Sequence, residues 1–202
     1  MPWFDMPLER LREYRTSTQE PDGLDDWWAI RLAQARALAE PPTRTPHEPG
    51  LYDPFEVYDV EFSGAGGDRV RAWYLRRGGG GSTASPPVVV KFIGYGGGRG
   101  TPSEHILLAA LGYAVLVTDS RGQGGRWTTG ATGDGPESTG PENSQVMTRG
   151  ILNPEHYYYT RLFTDAVRAV ETAAELAGAG GAQVAGHRRP AGSPRRRSSA
   201  PG

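Results

Sequence analysis

Two glycine-rich stretches hold the residues whose types could do chemistry. Residues 94–100 read Gly-Tyr-Gly-Gly-Gly-Arg-Gly, and residues 119–125 read Asp-Ser-Arg-Gly-Gln-Gly-Gly. Glycines at a strand's end let backbone approach a ligand closely or take positive φ. A backbone N–H aimed into such a crevice, here that of Tyr95, can stabilise a developing oxyanion. A nucleophile to accompany it is harder to find. The chain has no cysteine, hence no thiol nucleophile, disulfide framework or cysteine metal site. Its four histidines (47, 105, 156 and 187) are scattered, so no metal cluster is expected. Gly-x-Ser-x-Gly occurs nowhere; the nearest text is Thr118-Asp-Ser-Arg-Gly122, with threonine in the first glycine's place. For either stretch alone, a glycine-rich connection without chemistry stays open.

The elements before these stretches predict how they are positioned. Val88 to Ile93 is a short, nearly unbroken apolar run, which suits a strand buried on both faces. Residues 102–111 read as a short helix, with Thr101 or Ser103 as its cap and Gly112 as its end. Residues 113–118 are a second buried strand, so 88–118 forms a right-handed βαβ unit. Both glycine-rich stretches then leave the carboxyl ends of parallel strands, the edge where open α/β sheets bind ligands.

Upstream, residues 6–14 predict a short helix docked on the body. A longer helix is expected over 22–40, capped by Asp22 or Asp25, with Trp27, Trp28, Leu32, Ala35 and Leu38 as its core stripe. Residues 55–62 and 70–75 alternate around Gly64-Ala-Gly-Gly-Asp68, which predicts an antiparallel hairpin. Residues 78–87 read as a surface loop, and 126–154 as a long loop, functional or disordered. Over 155–177 the apolar spacing predicts an amphipathic helix with Tyr158, Leu162, Ala166 or Val167, and Val170 on one face and an Arg161–Asp165 pair on its surface.

The chain's 202 residues suffice for one α/β domain or most of one. There is no apolar leader and no membrane-length apolar run, so the default expectation is a cytoplasmic protein with no membrane partner. Net charge is −1, but Arg188, Arg189, Arg195, Arg196 and Arg197 all follow the last acid, Glu175, leaving a net acidic body and a basic end. Such an end could contact nucleic acid. With no aromatic residue between the arginines, no nucleic-acid partner is expected.

Several segments together resemble the acetyl xylan esterase / cephalosporin C deacetylase family, carbohydrate esterase family seven. They are Met6-Pro-Leu-Glu-Arg-Leu11, Gly94-Tyr95, Arg121-Gly122-Gln123, Met147-Thr-Arg-Gly150, and Tyr157-Tyr-Tyr159 with Asp165-Ala-Val-Arg-Ala-Val170. The resemblance implies an α/β class and an incomplete α/β-hydrolase fold: N-terminal helices, an antiparallel hairpin, then βαβ units of a mostly parallel sheet. It implies hydrolysis of acetyl esters of short xylo-oligosaccharides or cephalosporin C by Ser-His-Asp chemistry, with no metal or organic cofactor. In that family Tyr95 matches the tyrosine whose backbone N–H forms half of the oxyanion hole. Gly94, Arg121, Gly122 and Gln123 match its scaffold, with Arg121 expected in a buried ion pair. The implied partner is a small acetylated saccharide or cephalosporin-type molecule, and the full-length family is expected to be homo-oligomeric.

The resemblance runs from residue 1 to about 176. The family's Gly-x-Ser-Gln-Gly should follow the 155–177 helix and one short strand, and its Asp and His later still. Ser120 sits within the Arg-Gly-Gln loop and is rejected as nucleophile. The chain is therefore expected to divide into 1–177, the N-terminal part of an acetyl xylan esterase-like domain, and 178–202, a disordered Arg/Pro/Gly/Ala-rich tail. Val184-Ala185 fits the start of the missing strand; back-translated as GGT-CAC-CGG-CGG, one of several codon choices, the residues from Gly186 read Val-Thr-Gly-Gly after a one-base shift, though the next shifted codons restore no serine, so the tail is expected to be out of frame from near Gly186. Without that part, strands 88–93 and 113–118 should expose an apolar edge and the chain should be inactive. The alternative is a non-catalytic carbohydrate-binding or interaction module with a basic tail.

Overall fold

The computed structural model describes residues 5–79, 86–135 and 146–178, and the backbone of 184–188. The elements, in chain order, are helix α1 (Leu8–Glu13), helix α2 (Leu24–Ala37), strands β1 (Thr43–Pro46), β2 (Phe55–Ser63), β3 (Arg69–Arg77) and β4 (Val88–Phe92), helix α3 (Ile106–Ala110), strand β5 (Ala114–Thr118), helix α4 (Tyr158–Leu176) and strand β6 (Val184–Arg188). The six strands form one mixed sheet in the order β1-β2-β3-β5-β4-β6. The β1–β2, β2–β3 and β3–β5 pairs are antiparallel; β4 pairs in parallel with β5 and with β6.

Alternation along the strands splits the core between the two faces of the sheet. Val60, Phe62, Val70, Ala72, Tyr74, Val88, Val90, Ala114 and Leu116 pack on one face, against Ala169 and Ala173 of α4 and Ala177 at its C-cap. Val57, Trp73, Leu75, Val115 and Val117 pack on the other, against Ala109 of α3. Residues i, i+2 and i+4 of a strand share a face, so an apolar residue at nearly every position of β4 and β5 produces burial on both sides. The alanines of α4 recur every fourth residue on one helical stripe, and their small side chains let the helix lie close to the sheet.

The expected hairpin forms with Phe55 opposite Arg77 and Ser63 opposite Arg69. Its turn places Gly66 and Gly67 at φ 65° and 83°. Several expectations are corrected. Strand β1 was not foreseen. Helix α1 buries no residue, so it is not docked on the body. Helix α2 starts at Gly23 in the left-handed conformation with no side-chain cap, and of its expected stripe only Ala35 is buried. The buried stripe of α4 includes Tyr158, Asp165, Ala169, Thr172 and Ala173, whereas Val170 is exposed. Neither 88–93 nor 113–118 is an edge: β5 lies between β3 and β4, and β6 covers β4's other side. The segment expected as tail thus contains a paired strand at 184–188. Residues 80–85 and 136–145, from the two expected loops, and 179–183 and 189–202, from the expected tail, lie outside the described residues.

Candidate functional site

Because β4 and β5 are parallel, residues 94–100 and 119–123 leave the sheet side by side. Hydrogen bonds tie them together: the Gly96 N–H donates to Gln123 Oε1 (2.7 Å), and the Arg99 N–H donates to Asp119 Oδ1 (2.6 Å).

Tyr95 lies beyond the end of β4, at the second position of a turn closed by the Gly97 N–H donating to the Gly94 carbonyl (3.1 Å). Gly96, third in that turn, has φ 82°, while Tyr95 keeps negative φ. That combination is a type II turn, which needs glycine in the third place. The Gly94 carbonyl points into the turn, so the N–H of Tyr95, on the same trans peptide, points out of it. The next peptide, 95–96, is held at both ends. Its carbonyl accepts from Trp127 Nε1 (3.0 Å), and its N–H donates to Gln123. Tyr95 and Trp127 are 39% and 49% exposed, so this clamp sits at the surface. The glycines beside it are demanded by close approach: a Cβ on Gly98 would fall 2.2 Å from Gly130 Cα.

Gln123 and Arg121 are both buried. The Gln123 amide nitrogen donates to the Tyr158 hydroxyl (2.7 Å), which donates to the Arg121 carbonyl (2.6 Å). The Arg121 guanidinium makes a fork to Asp165, Nε to Oδ2 at 2.6 Å and Nη2 to Oδ1 at 2.8 Å, and donates from Nη1 to Asp68 Oδ2 (2.9 Å). Burial disfavours its charge, yet Asp165 and Asp68 outweigh that and hold its pKa above the ordinary arginine value. Asp165 also accepts from the Ala65 N–H (2.8 Å). The expected Arg161–Asp165 pair is absent: Arg161 reaches Asp134, which also accepts from Arg149 Nη1 (2.7 Å). Gly122 has φ 60°, and a Cβ there would fall 2.9 Å from Asp134 Cβ, so the middle of Arg-Gly-Gln has no room for a side chain.

Asp119 joins three loops. Its carboxylate accepts from the N–H groups of Arg99 and Ala131 and from the Thr132 hydroxyl. Burial pushes its pKa up, and those three donors oppose the shift. Between the ends of β4 and β5 and helix α4 lies a cleft of about 230 Å³ lined by Phe92, Ile93, Asp119, Ser120, Leu162 and Phe163. A smaller one, about 130 Å³, lies beside Gly94, Trp127, Lys91 and His105.

His105 is buried, with Nε2 2.7 Å from the Arg99 carbonyl and Nδ1 2.8 Å from the Lys91 ammonium. A carbonyl only accepts, so Nε2 carries the proton and Nδ1 accepts from lysine. Burial foremost, opposed by the bond to Arg99 and assisted by Lys91, holds the ring's pKa below its ordinary value. In the unfolded chain the ring protonates near its ordinary pKa of about 6.5, so below that pH the unfolded state binds more protons. Stability is therefore full above about pH 7 and falls as pH drops through 6.5, by at most about 1.4 kcal/mol per pH unit. Urea midpoints at pH 7.5 and 5.5 check this, and His105→Gln should flatten the difference. An equal slope in both proteins would contradict it.

Of the residues singled out in sequence, Gly94, Tyr95, Arg121, Gly122 and Gln123 converge. Ser120 lines the larger cleft and is mostly buried. Tyr158, Asp119, Asp165 and Trp127 were not singled out as site residues. Tyr158 and Asp165 stood within matched segments, but only the fold shows what they touch. Among the described residues no cluster of three or more His, Asp or Glu could hold a metal, and no helix is long and apolar enough to cross a membrane.

Comparison with known proteins agrees with this layout. A structure of an acetyl xylan esterase from Paenibacillus sp. R4 superposes with a TM-score of 0.74 at 30% identity, over 91% of this chain and 56% of that one. Acetyl xylan esterase 1 from Thermoanaerobacterium sp. JW/SL YS485 superposes with a TM-score of 0.76 at 24% identity, over 92% and 56%; at that identity it speaks for the fold. The chain thus spans a little over half the length of these relatives. Residues 1–185 match the acetyl xylan esterase family, whose members are carboxylic ester hydrolases of the α/β-hydrolase type, and to that family the chain belongs.

Proposed function

We propose that this chain supplies the oxyanion wall of a carbohydrate acetylesterase that deacetylates small substrates such as acetylated xylo-oligosaccharides or cephalosporin C. In a Ser-His-Asp reaction the serine oxygen attacks the acetyl carbonyl carbon, and the carbonyl oxygen gathers negative charge. The Tyr95 N–H is the donor this chain offers to that oxygen, and the residue after the nucleophile offers the second. The observation that carries the reading is the 95–96 peptide, fixed by Trp127 on its carbonyl and Gln123 on its N–H beside two clefts at the strand ends. The donor's own peptide, 94–95, is held by the Gly97 N–H on its carbonyl (3.1 Å), and a donor fixed by that turn and by the clamped peptide next to it needs little reorganisation as charge develops, the property an oxyanion hole requires. Arg121, Gly122 and Gln123 act as scaffold behind it.

No Gly-x-Ser-x-Gly occurs in these 202 residues to supply the serine nucleophile, and without one a histidine base has nothing to activate, so these residues alone are expected not to turn over an ester. The family match ends at Ala185, next to Gly186, where the codons GGT-CAC-CGG-CGG for Gly186–Arg189, one of several possible choices, would read Val-Thr-Gly-Gly in a frame shifted by one base. That coincidence supports an out-of-frame reading from residue 186, which sequencing the gene across that codon decides. The function is tested with purified chain and p-nitrophenyl acetate. Hydrolysis should not exceed that of buffer. Turnover well above buffer, abolished by a serine-directed reagent, would overturn the assignment of roles.

A further inference from the structure

Three buried hydrogen bonds run in series from a backbone carbonyl to a backbone N–H. The Tyr158 hydroxyl donates to the Arg121 carbonyl (2.6 Å), Gln123 Nε2 donates to the Tyr158 oxygen (2.7 Å), and the Gly96 N–H donates to Gln123 Oε1 (2.7 Å). Tyr158 is 0% and Gln123 3% exposed, so water does not substitute for either.

The direction of the series is forced. A carbonyl can only accept, so Tyr158 must spend its single proton on Arg121. Its oxygen then presents lone pairs to Gln123, and only the NH₂ end of the amide can answer them. The amide's oxygen is thereby turned to Gly96, whose N–H can only donate. Reversed, the amide would set NH₂ against N–H on one side and oxygen against lone pairs on the other.

We infer that Tyr158 is a positioning residue: through Gln123 its hydroxyl fixes the 95–96 peptide, and with it the direction of the neighbouring Tyr95 N–H. The inference deepens the oxyanion reading and rests on it for its purpose. Its physical content is independent of any substrate, because it concerns which way one amide faces.

Remove the hydroxyl with Tyr158→Phe, and Arg121's carbonyl and Gln123's NH₂ both lose a partner. The amide is then free to turn its NH₂ toward the Arg121 carbonyl, which takes its oxygen away from Gly96. The test is amide hydrogen exchange by NMR on the 202-residue chain. Tyr158→Phe should speed exchange at Gly96 by about tenfold beyond any change shared with Val115 and Leu116 of β5, the loss expected for one buried hydrogen bond. Gln123→Leu should do at least as much. In the Gln123→Leu background, adding Tyr158→Phe should then change Gly96 no further, since Tyr158 acts only through that side chain. An unchanged Gly96, a change no larger than in β5, or additive effects in the double variant would each overturn the inference. A second measurement needs no variant: the Gln123 side-chain NH₂ of the parent should exchange slowly, and rapid exchange overturns the proposal. These readouts are blind to whether Tyr95 meets a substrate, so their failure leaves the oxyanion reading to its own test.

Discussion

Asp165→Ala should lower the unfolding free energy by about 3–5 kcal/mol, the range for stripping one partner from a buried ion pair. The Arg121 guanidinium is 1% exposed and holds Asp165 in a two-bond fork, with Nε at 2.6 Å. Asp165→Ala leaves that guanidinium buried with Asp68 at 2.9 Å and Asp134 at 3.7 Å. Asp68 is 36% exposed and Asp134 is shared with Arg149 and Arg161, so neither replaces the fork. The same change leaves without its acceptor the Ala65 N–H, which lies in the β2–β3 turn. Space offers no rescue from the other side, because Gly64 already lies against Asp165 Oδ1, 2.2 Å from where its Cβ would stand. Glu56→Gln, which weakens the half-exposed pair to Arg76 (2.7 Å), is the control and should cost under about 1 kcal/mol. Urea unfolding of the two variants checks the contrast. If Asp165→Ala costs no more than Glu56→Gln, the pair contributes little to the fold, and its place behind Arg-Gly-Gln needs another explanation.

A buried ion pair was expected for Arg121 and is found, but its partner, Asp165 on α4, was not legible from sequence. Strands announce themselves by period: the alternation of 55–62 and 70–75 and the apolar runs of β4 and β5 each mapped onto a strand. Strand β1 escaped because Thr43-Arg-Thr-Pro46 is short, polar and proline-ended, as edge strands tend to be. On α4 the large apolar side chains suggested one face, yet the sheet meets alanines, with threonines and Asp165 in the same buried stripe. Close helix–sheet contact selects small residues, and a buried acid fits only because Arg121 arrives from elsewhere. The i,i+4 spacing of Arg161 and Asp165 was a local option that two tertiary partners outbid. The glycine-rich strand ends were legible as a site because backbone needs leave glycines behind. The side chains that hold them, Gln123 to Tyr158 and Asp119 to Thr132, are 35 and 13 residues apart and follow no period.

Tyr95→Pro should remove the proposed oxyanion donor while keeping the type II turn that presents it. A backbone N–H cannot be deleted by trimming a side chain, but proline lacks one. Elsewhere that replacement would break the chain's course; here the second place of a type II turn is where proline is favoured. The turn's own bond, Gly97 N–H to Gly94 carbonyl, does not use the Tyr95 N–H. Nor does the bond from Trp127 to the Tyr95 carbonyl. Glycine at 94 tolerates the restriction that proline imposes on the residue before it. The ring is lost too, and with it a contact 5.4 Å from the Arg126 guanidinium, so Tyr95→Ala serves as the control that loses the ring and keeps the N–H. Activity is read in a chimera joining residues 1–185, the part matching the family, to the remainder of the Paenibacillus esterase. With a matched thermal melt, the proline variant should lose about 10²–10³ in kcat, the cost of one oxyanion donor. The alanine variant should stay within about tenfold of the parent chimera, since it forfeits no bond to the developing charge. Equal activities for proline and alanine would mean that the acetyl oxygen finds its donors elsewhere, and that the clamped peptide serves only to hold the two loops together.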